Sequence, residues 1–161
     1  MIDIHCHILP AIDDGPADLQ ETLEMIRIAA GDGITHIVAT PHYRHGESPT
    51  AQDIKGKIAL VRKEMAKNSI AVELMEGADI RLTYELMEGI EKNEIPTINN
   101  SRYFLLELPD LIPPHLDGFL FEARVKGFVP VITHPERNHS LIYFPEKIAA
   151  QIVLQSSRRT N

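Results

Sequence analysis

Tyr103-Phe104-Leu105-Leu106-Glu107-Leu108 is an apolar run of strand character with one carboxylate near its end. A run this apolar belongs in a sheet covered on both faces. Glu107 is then an acid inside an element that should be buried. A buried carboxylate without a partner is costly, and a metal ion is one solution. An arginine facing it from the core is another.

Four further runs share this strand character, and they alternate with segments of helical period. Ile2 to Cys6 opens the chain, and Ile34 to Thr40, Val72 to Ile80 and Val129 to Thr133 complete the set. Between them, Leu19, Leu23, Ile26 and Ala30 recur at helical spacing, as do Ile54, Ile58, Val61 and Met65. Asp18-x-x-Glu21 resembles a capping box before the first of these helices, and Gly31 and Gly33 end it. Leu82 to Ile90 reads as a short helix. Leu116, Leu120 and Ala123 mark another, closed by Gly127, and Pro145 suits the first turn of a last one. About five β-α units in succession define an α/β protein with a parallel sheet and helices outside it. No Gly-rich phosphate loop follows the first strand, so a dinucleotide fold has no support.

The chain of 161 residues is long enough for one domain, read as 1–154 with a polar tail over 155–161. Its net charge of −7, without any Lys/Arg block, argues against nucleic acid as a main partner and suits a protein that collects cations through carboxylates. No apolar run approaches the roughly 20 residues of a membrane span. The N-terminus lacks the basic and apolar regions of a signal peptide. Cys6 stands alone and cannot form an internal disulfide, which fits a reducing, cytoplasmic location.

The chemistry lies at the strand ends. His5 and His7 flank the end of the first strand, and residues two apart in extended chain point the same way. Asp13 and Asp14 follow in the adjacent loop. His42 lies just past the second strand, Asp79 ends the third, Glu107 the fourth and His134 the fifth. In β/α barrels active sites are built at the C-terminal strand ends, so side chains distant in sequence would converge there. This favours a barrel over an open sheet. Imidazole and carboxylate donors without thiolate suit Zn, Mn or Fe, and more than four of them suggest more than one ion. Such ions could grip a phosphate and activate water.

Each feature also has a plainer reading. A His-x-His pair is often accidental, and Asp13-Asp14-Gly15 could be an ordinary turn. Their recurrence at five strand ends favours the site. Arg137, three residues past His134, could clamp a phosphate bidentately. Arg81 is a weaker candidate, with a surface ion pair as its plainer role. His36 is read as structural and His115 as solvated, and His45 and His139 have no assigned role. Cys6 should point away from its two histidine neighbours, as a small core residue.

Met1-Ile-Asp-Ile-His-Cys-His-Ile-Leu-Pro10, Asp13-Asp14-Gly15, Ala39-Thr-Pro-His42, Gly77-Ala-Asp-Ile-Arg81, Leu106-Glu-Leu-Pro109 and His134-Pro-Glu-Arg137 occur in that order. Together they closely resemble the bacterial manganese-dependent protein tyrosine phosphatases of the polymerase-and-histidinol-phosphatase (PHP) type, which belong with capsular and exopolysaccharide biosynthesis. The resemblance implies a partial PHP-type distorted (β/α) barrel. It implies two or three Mn²⁺ ions (Fe or Zn in their place), and a phosphotyrosine-containing bacterial tyrosine kinase as substrate. His5 and His7 would hold one ion, with Asp79 bridging to a second completed by Glu107 and His134. Asp14 and His42 would hold the third, Arg137 would bind phosphate, and a metal-bridging hydroxide would attack phosphorus.

Two departures accompany the resemblance. The family usually carries Glu where this chain has Asp79. Its barrel also continues through a late Asp-x-His motif, whereas no Asp follows His139 here. A C-terminally truncated barrel is therefore expected, with open strand edges that an oligomer could cover. A small-molecule phosphatase of histidinol-phosphate type and an inactive metal- or kinase-binding fragment are the competing readings.

Overall fold

The computed structural model describes residues 1–44, 46, 47 and 49–143. The helix expected from Pro145, the polar tail and His45 lie outside these. Seven short strands are present: β1 (Ile2–Cys6), β2 (His36–Ala39), β3 (His42–Tyr43), β4 (Glu73–Glu76), β5 (Asp79–Arg81), β6 (Tyr103–Glu107) and β7 (Val129–Thr133). They form two parallel sheets, ordered β1-β2-β4 and β3-β5-β6-β7. The helices are α1 (Leu19–Gly31), α2 (Ala51–Lys67), α3 (Leu86–Glu91), α4 (Leu116–Val125) and α5 (His139–Tyr143).

The expected second and third strands are each broken in two. Pro41 has no N–H to offer the ladder, and its carbonyl instead accepts the Asp79 N–H at 2.9 Å. Gly77 breaks the neighbouring strand. A Cβ there would lie 2.6 Å from Val38 Cγ1 and 3.2 Å from Thr40 Cγ2, so glycine lets the two neighbouring strands approach this closely. The breaks bend the wall without changing its order. β1, β2 with β3, β4 with β5, β6 and β7 follow one another as a parallel β/α barrel wall. β1 and β7 are its edges among the described residues. Pro130, missing one ladder donor, sits on edge strand β7.

Local chemistry sets the helix starts. Asp18 caps α1 by accepting the Glu21 N–H at 2.9 Å. The Glu21 carboxylate returns to the Ala17 N–H at 2.7 Å, one residue before the position a capping box uses. Thr50 and Asp53 form the full reciprocal box at the start of α2. That helix buries Ile54, Ile58, Val61 and Met65, the four residues whose spacing marks it in the sequence. α4 ends before Gly127, whose φ of +86° suits a residue without Cβ. The core gathers Ile37, Ile80, Phe104 and Leu106, each fully buried, under α2, α3 and α4. What this core positions is one end of the wall, where β1, β6 and β7 end and where β3 and β5 open with His42 and Asp79.

Candidate metal centre

Three overlapping sets of donors converge at this end: His5, Asp79 and His134; His7, His42 and Asp79; and His7, Asp13 and Asp14. Within each set the ligand atoms lie within 4.8 Å of one another. The His5 ring centroid is 4.7 Å from that of His134, and the His7 centroid 4.6 Å from that of His42. The wall's curvature thus unites side chains from β1, β3, β5 and the end of β7. Asp79 belongs to two of the three sets. His5 and His7, although their centroids are only 5.5 Å apart, fall in different sets.

Asp79 is the buried centre. Its side chain has 0% exposure, and its Oδ1 accepts the Thr133 hydroxyl at 2.8 Å. Its Oδ2 has no partner, and neither does the buried Nε2 of His5, which faces it at 3.6 Å. That separation is too long for a hydrogen bond. The Oδ2 also lies 3.7 Å from His42 Nδ1. Burial pushes the Asp79 carboxyl up, but the His5 imidazole, the Thr133 hydroxyl and His42 more than offset it and hold it below the ordinary carboxylate range. An ionised carboxylate and an imidazole nitrogen, both buried and unpaired and both aimed at one small space, fit a divalent cation.

The two aspartates of the first loop differ. The Asp13 carboxylate is 5% exposed and takes the His7 Nδ1 at 2.7 Å, whereas Asp14 is 76% exposed and lies 3.3 Å from the same nitrogen and 3.7 Å from His42 Nε2. The hydrogen bond to Asp13 holds the His7 imidazole above its ordinary pKa against the opposing effect of burial. Burial raises the Asp13 carboxyl in turn, but His7 and the backbone N–H groups of Gly15 and His42 more than offset it, and its pKa is lowered.

Glu107 stands at the margin. Its Oε1 accepts a 2.8 Å hydrogen bond from Arg81, so the core-arginine reading of this acid holds for one oxygen. The other oxygen is 4.0 Å from His42 Nδ1, and Glu107 belongs to none of the three sets. Arg81 is thus an ion-pair partner. Arg137 is exposed and, with Arg81, His42, Glu107 and His134, lines a pocket of about 170 Å³. His134 itself adopts a left-handed backbone at φ +46°, an unusual conformation that turns the chain sharply at the strand end. A larger cavity, about 350 Å³, lies among Lys55, Arg102, Lys126 and Phe128 and contains none of these residues.

The remaining histidines are elsewhere. His36 pairs with Thr35 at 2.8 Å and Glu73 at 3.3 Å on the strand-start side. His115, expected to be solvated, stacks on Tyr84 at 4.4 Å. Cys6 is half-buried against the core, and burial with the nearby Asp3 pushes its thiol up to about 11, so it is not a thiolate near neutral pH. Thr133 as the partner of Asp79, and Asp13 as an inward acid, were not legible from the sequence. No local sequence pattern ties Thr133 to Asp79, 54 residues away.

Strand-end imidazoles and carboxylates on a curved parallel wall define a PHP-type fold with a candidate metal centre at one end. The chain belongs to the CpsB/CapC family: the family described as "Capsular polysaccharide synthesis, CpsB/CapC" matches residues 1–154. It is 37% identical to the tyrosine-protein phosphatase YwqE of Bacillus subtilis, with 98% of this chain and 65% of YwqE aligned. It is 33% identical to the tyrosine-protein phosphatase CpsB of Streptococcus agalactiae serotype III, over 92% of this chain and 62% of that one. A crystal structure from work on B. subtilis YwqE and Streptococcus pneumoniae CpsB, described as unique metal-dependent tyrosine phosphatases, superimposes with a TM-score of 0.89 at 33% identity. It is matched over 94% of this chain and 62% of its own length. The chain therefore spans somewhat under two thirds of the length of these relatives.

Proposed function

We propose that this chain carries the metal-binding part of a protein-tyrosine phosphatase that removes phosphate from a bacterial tyrosine kinase controlling capsular or exopolysaccharide synthesis. The observation that carries this reading is the unpartnered His5 Nε2 facing the unpartnered Asp79 Oδ2 at 3.6 Å, inside a ring of strand-end donors. His5, His7, Asp14, His42, Asp79, Glu107 and His134 would hold two or three Mn²⁺ ions. When bound, such ions neutralise phosphate charge and generate a nucleophile from water at neutral pH.

The chain's own groups do the rest. Arg137, free at the rim of the pocket, offers a planar pair of donors to phosphate oxygens. Arg81, held by Glu107, adds positive charge to the same wall. Asp79, fixed by Thr133, keeps its second oxygen turned to the centre. A covalent cysteine mechanism is disfavoured, because the Cys6 thiol stays protonated. Among the described residues no helix is long and apolar enough to cross a membrane, and a cytoplasmic site of action is part of the proposal.

The test is turnover of a phosphotyrosine peptide by the purified chain, with and without Mn²⁺, alongside His134→Ala and Arg137→Ala. The expected result is Mn²⁺-dependent hydrolysis, lost in His134→Ala, with KM raised about tenfold or more in Arg137→Ala. A folded, Mn²⁺-loaded chain that leaves the peptide untouched would overturn the reading for this polypeptide.

A further inference from the structure

Two adjacent acids, Asp13 and Asp14, approach one imidazole, yet their surroundings differ completely. Every acceptor direction of Asp13 that the fold engages points inward. Its Oδ2 lies 2.7 Å from His7 Nδ1 and also accepts the backbone N–H of His42 at 3.1 Å. Its Oδ1 accepts the backbone N–H of Gly15 at 3.0 Å. The carboxylate is thus fixed by two backbone donors from different parts of the chain before it meets the histidine. Gly15 is what allows the loop to fold this tightly: a Cβ there would lie 2.6 Å from the His7 carbonyl oxygen and 3.1 Å from Asp13 Oδ1. Asp14 has no such anchoring bonds and stands 76% exposed.

A carboxylate can only accept, so the proton between Asp13 and His7 sits on Nδ1 of the ring. The lone pair is left on Nε2, the nitrogen away from Asp13. Ligating histidines characteristically donate their other N–H to a carboxylate, which fixes both tautomer and ring orientation. The same oxygen also pins the backbone at His42, the other histidine of the His7–His42–Asp79 set.

We propose that Asp13 is a positioning residue rather than a metal ligand: it sets the tautomer of His7 and locks His7 and His42 into one frame, pre-forming the cation site that Asp14 then completes. This inference rests on the metal-binding reading above.

The replacement Asp13→Asn keeps the shape but not the acceptors. An amide must present its NH₂ either to the Gly15 N–H or to the His7 and His42 donors, and each choice sets donor against donor. Mn²⁺ binding to the full 161-residue chain, measured by titration calorimetry, should show a Kd raised about 10–100-fold with the number of ions unchanged. Loss of one ion with unchanged affinity for the others would make Asp13 a ligand and overturn the proposal, as would unaltered affinity. Nitrogen NMR of the metal-free wild-type chain supplies a check that needs no variant. At alkaline pH the His7 ring should carry its proton on Nδ1, and an Nε2–H tautomer would overturn the proposal. If the wild-type chain took up no Mn²⁺, the metal reading itself would fail, while the tautomer measurement would still decide the role of Asp13.

Discussion

The Nε2 of His5 and the Oδ2 of Asp79 face each other across 3.6 Å, both buried and neither with a hydrogen-bond partner. Proteins seldom leave two such atoms unsatisfied side by side. A cation that binds the folded chain and not the unfolded one would satisfy both and stabilise the fold. At a hundred times its dissociation constant the gain is about 2.7 kcal/mol, or about 5–10 °C in Tm for a chain of this size. Thermal unfolding in Mn²⁺ should therefore lie that far above unfolding in EDTA. Asp79→Asn should remove most of the difference, and equal Tm values in Mn²⁺ and EDTA for the wild type would argue against a metal at this pair.

The two glycines Gly77 and Gly56 should respond to alanine with opposite signs. At Gly77 the added methyl meets the fully buried Val38 at 2.6 Å and Thr40 at 3.2 Å, where two parallel strands lie side by side. Overpacking of this kind costs about 1–3 kcal/mol. At Gly56, inside α2, an added Cβ meets nothing within 4 Å, and alanine gains about 0.5–1 kcal/mol in a helix. Urea unfolding of the two variants checks both signs at once. A neutral Gly77→Ala would show that the break between β4 and β5 does not depend on this contact.

Much of this architecture was legible because the strands announce themselves as apolar, β-branched runs, and each ends in a residue whose chemistry is out of place there. Glu107 after Phe104-Leu105-Leu106 is the clearest case. The breaks at Pro41 and Gly77 were not read, because a proline or glycine near a strand end is equally a turn signal until its neighbour is known. The role of Asp13 could not be read at all. Its acceptors meet the N–H of His42, 29 residues away, and no local pattern encodes that distance. Arg81 occupies only one of the two Glu107 oxygens, so the arginine partner leaves the second oxygen for the proposed metal role.

The pH dependence of the metal-free chain follows from His7 and Asp13. Asp13 has its folded pKa lowered from 3.8, so its contribution is present above that value and is lost as pH falls through the folded pKa. His7 has its folded pKa raised from 6.5, so its contribution is fully present below 6.5 and is lost as pH rises through the folded pKa. Stability in EDTA should therefore be greatest between about pH 4 and pH 6.5 as far as this pair is concerned. Tm measured across that range and beyond should show an acid limb and an alkaline limb. Asp13→Asn should flatten the alkaline limb, because His7 then loses the hydrogen-bonded carboxylate that does most to favour its charged form, leaving only the weaker pull of Asp14 and Asp79. An alkaline limb as steep in the variant as in the wild type would separate it from this pair.

Glu107 offers the sharpest discrimination between a structural and a metal-binding acid. Its Oε1 is engaged by Arg81 at 2.8 Å, while its Oε2 stands 4.0 Å from His42 Nδ1, on the side of the cluster. The side chains of both pair members are about one third exposed, 33% and 27%, so solvent screens their attraction. A double-mutant cycle in EDTA should give a coupling of no more than about 1 kcal/mol. If the ion pair were the whole purpose of Glu107, Arg81→Ala and Glu107→Gln would behave alike toward Mn²⁺. The free oxygen predicts otherwise: Glu107→Gln should lower the amount of Mn²⁺ bound at equilibrium, and Arg81→Ala should leave it unchanged. Equal Mn²⁺ content in both variants and the wild type would reduce Glu107 to a partner of Arg81, and the cation sites would then have to be built from the histidines and aspartates alone.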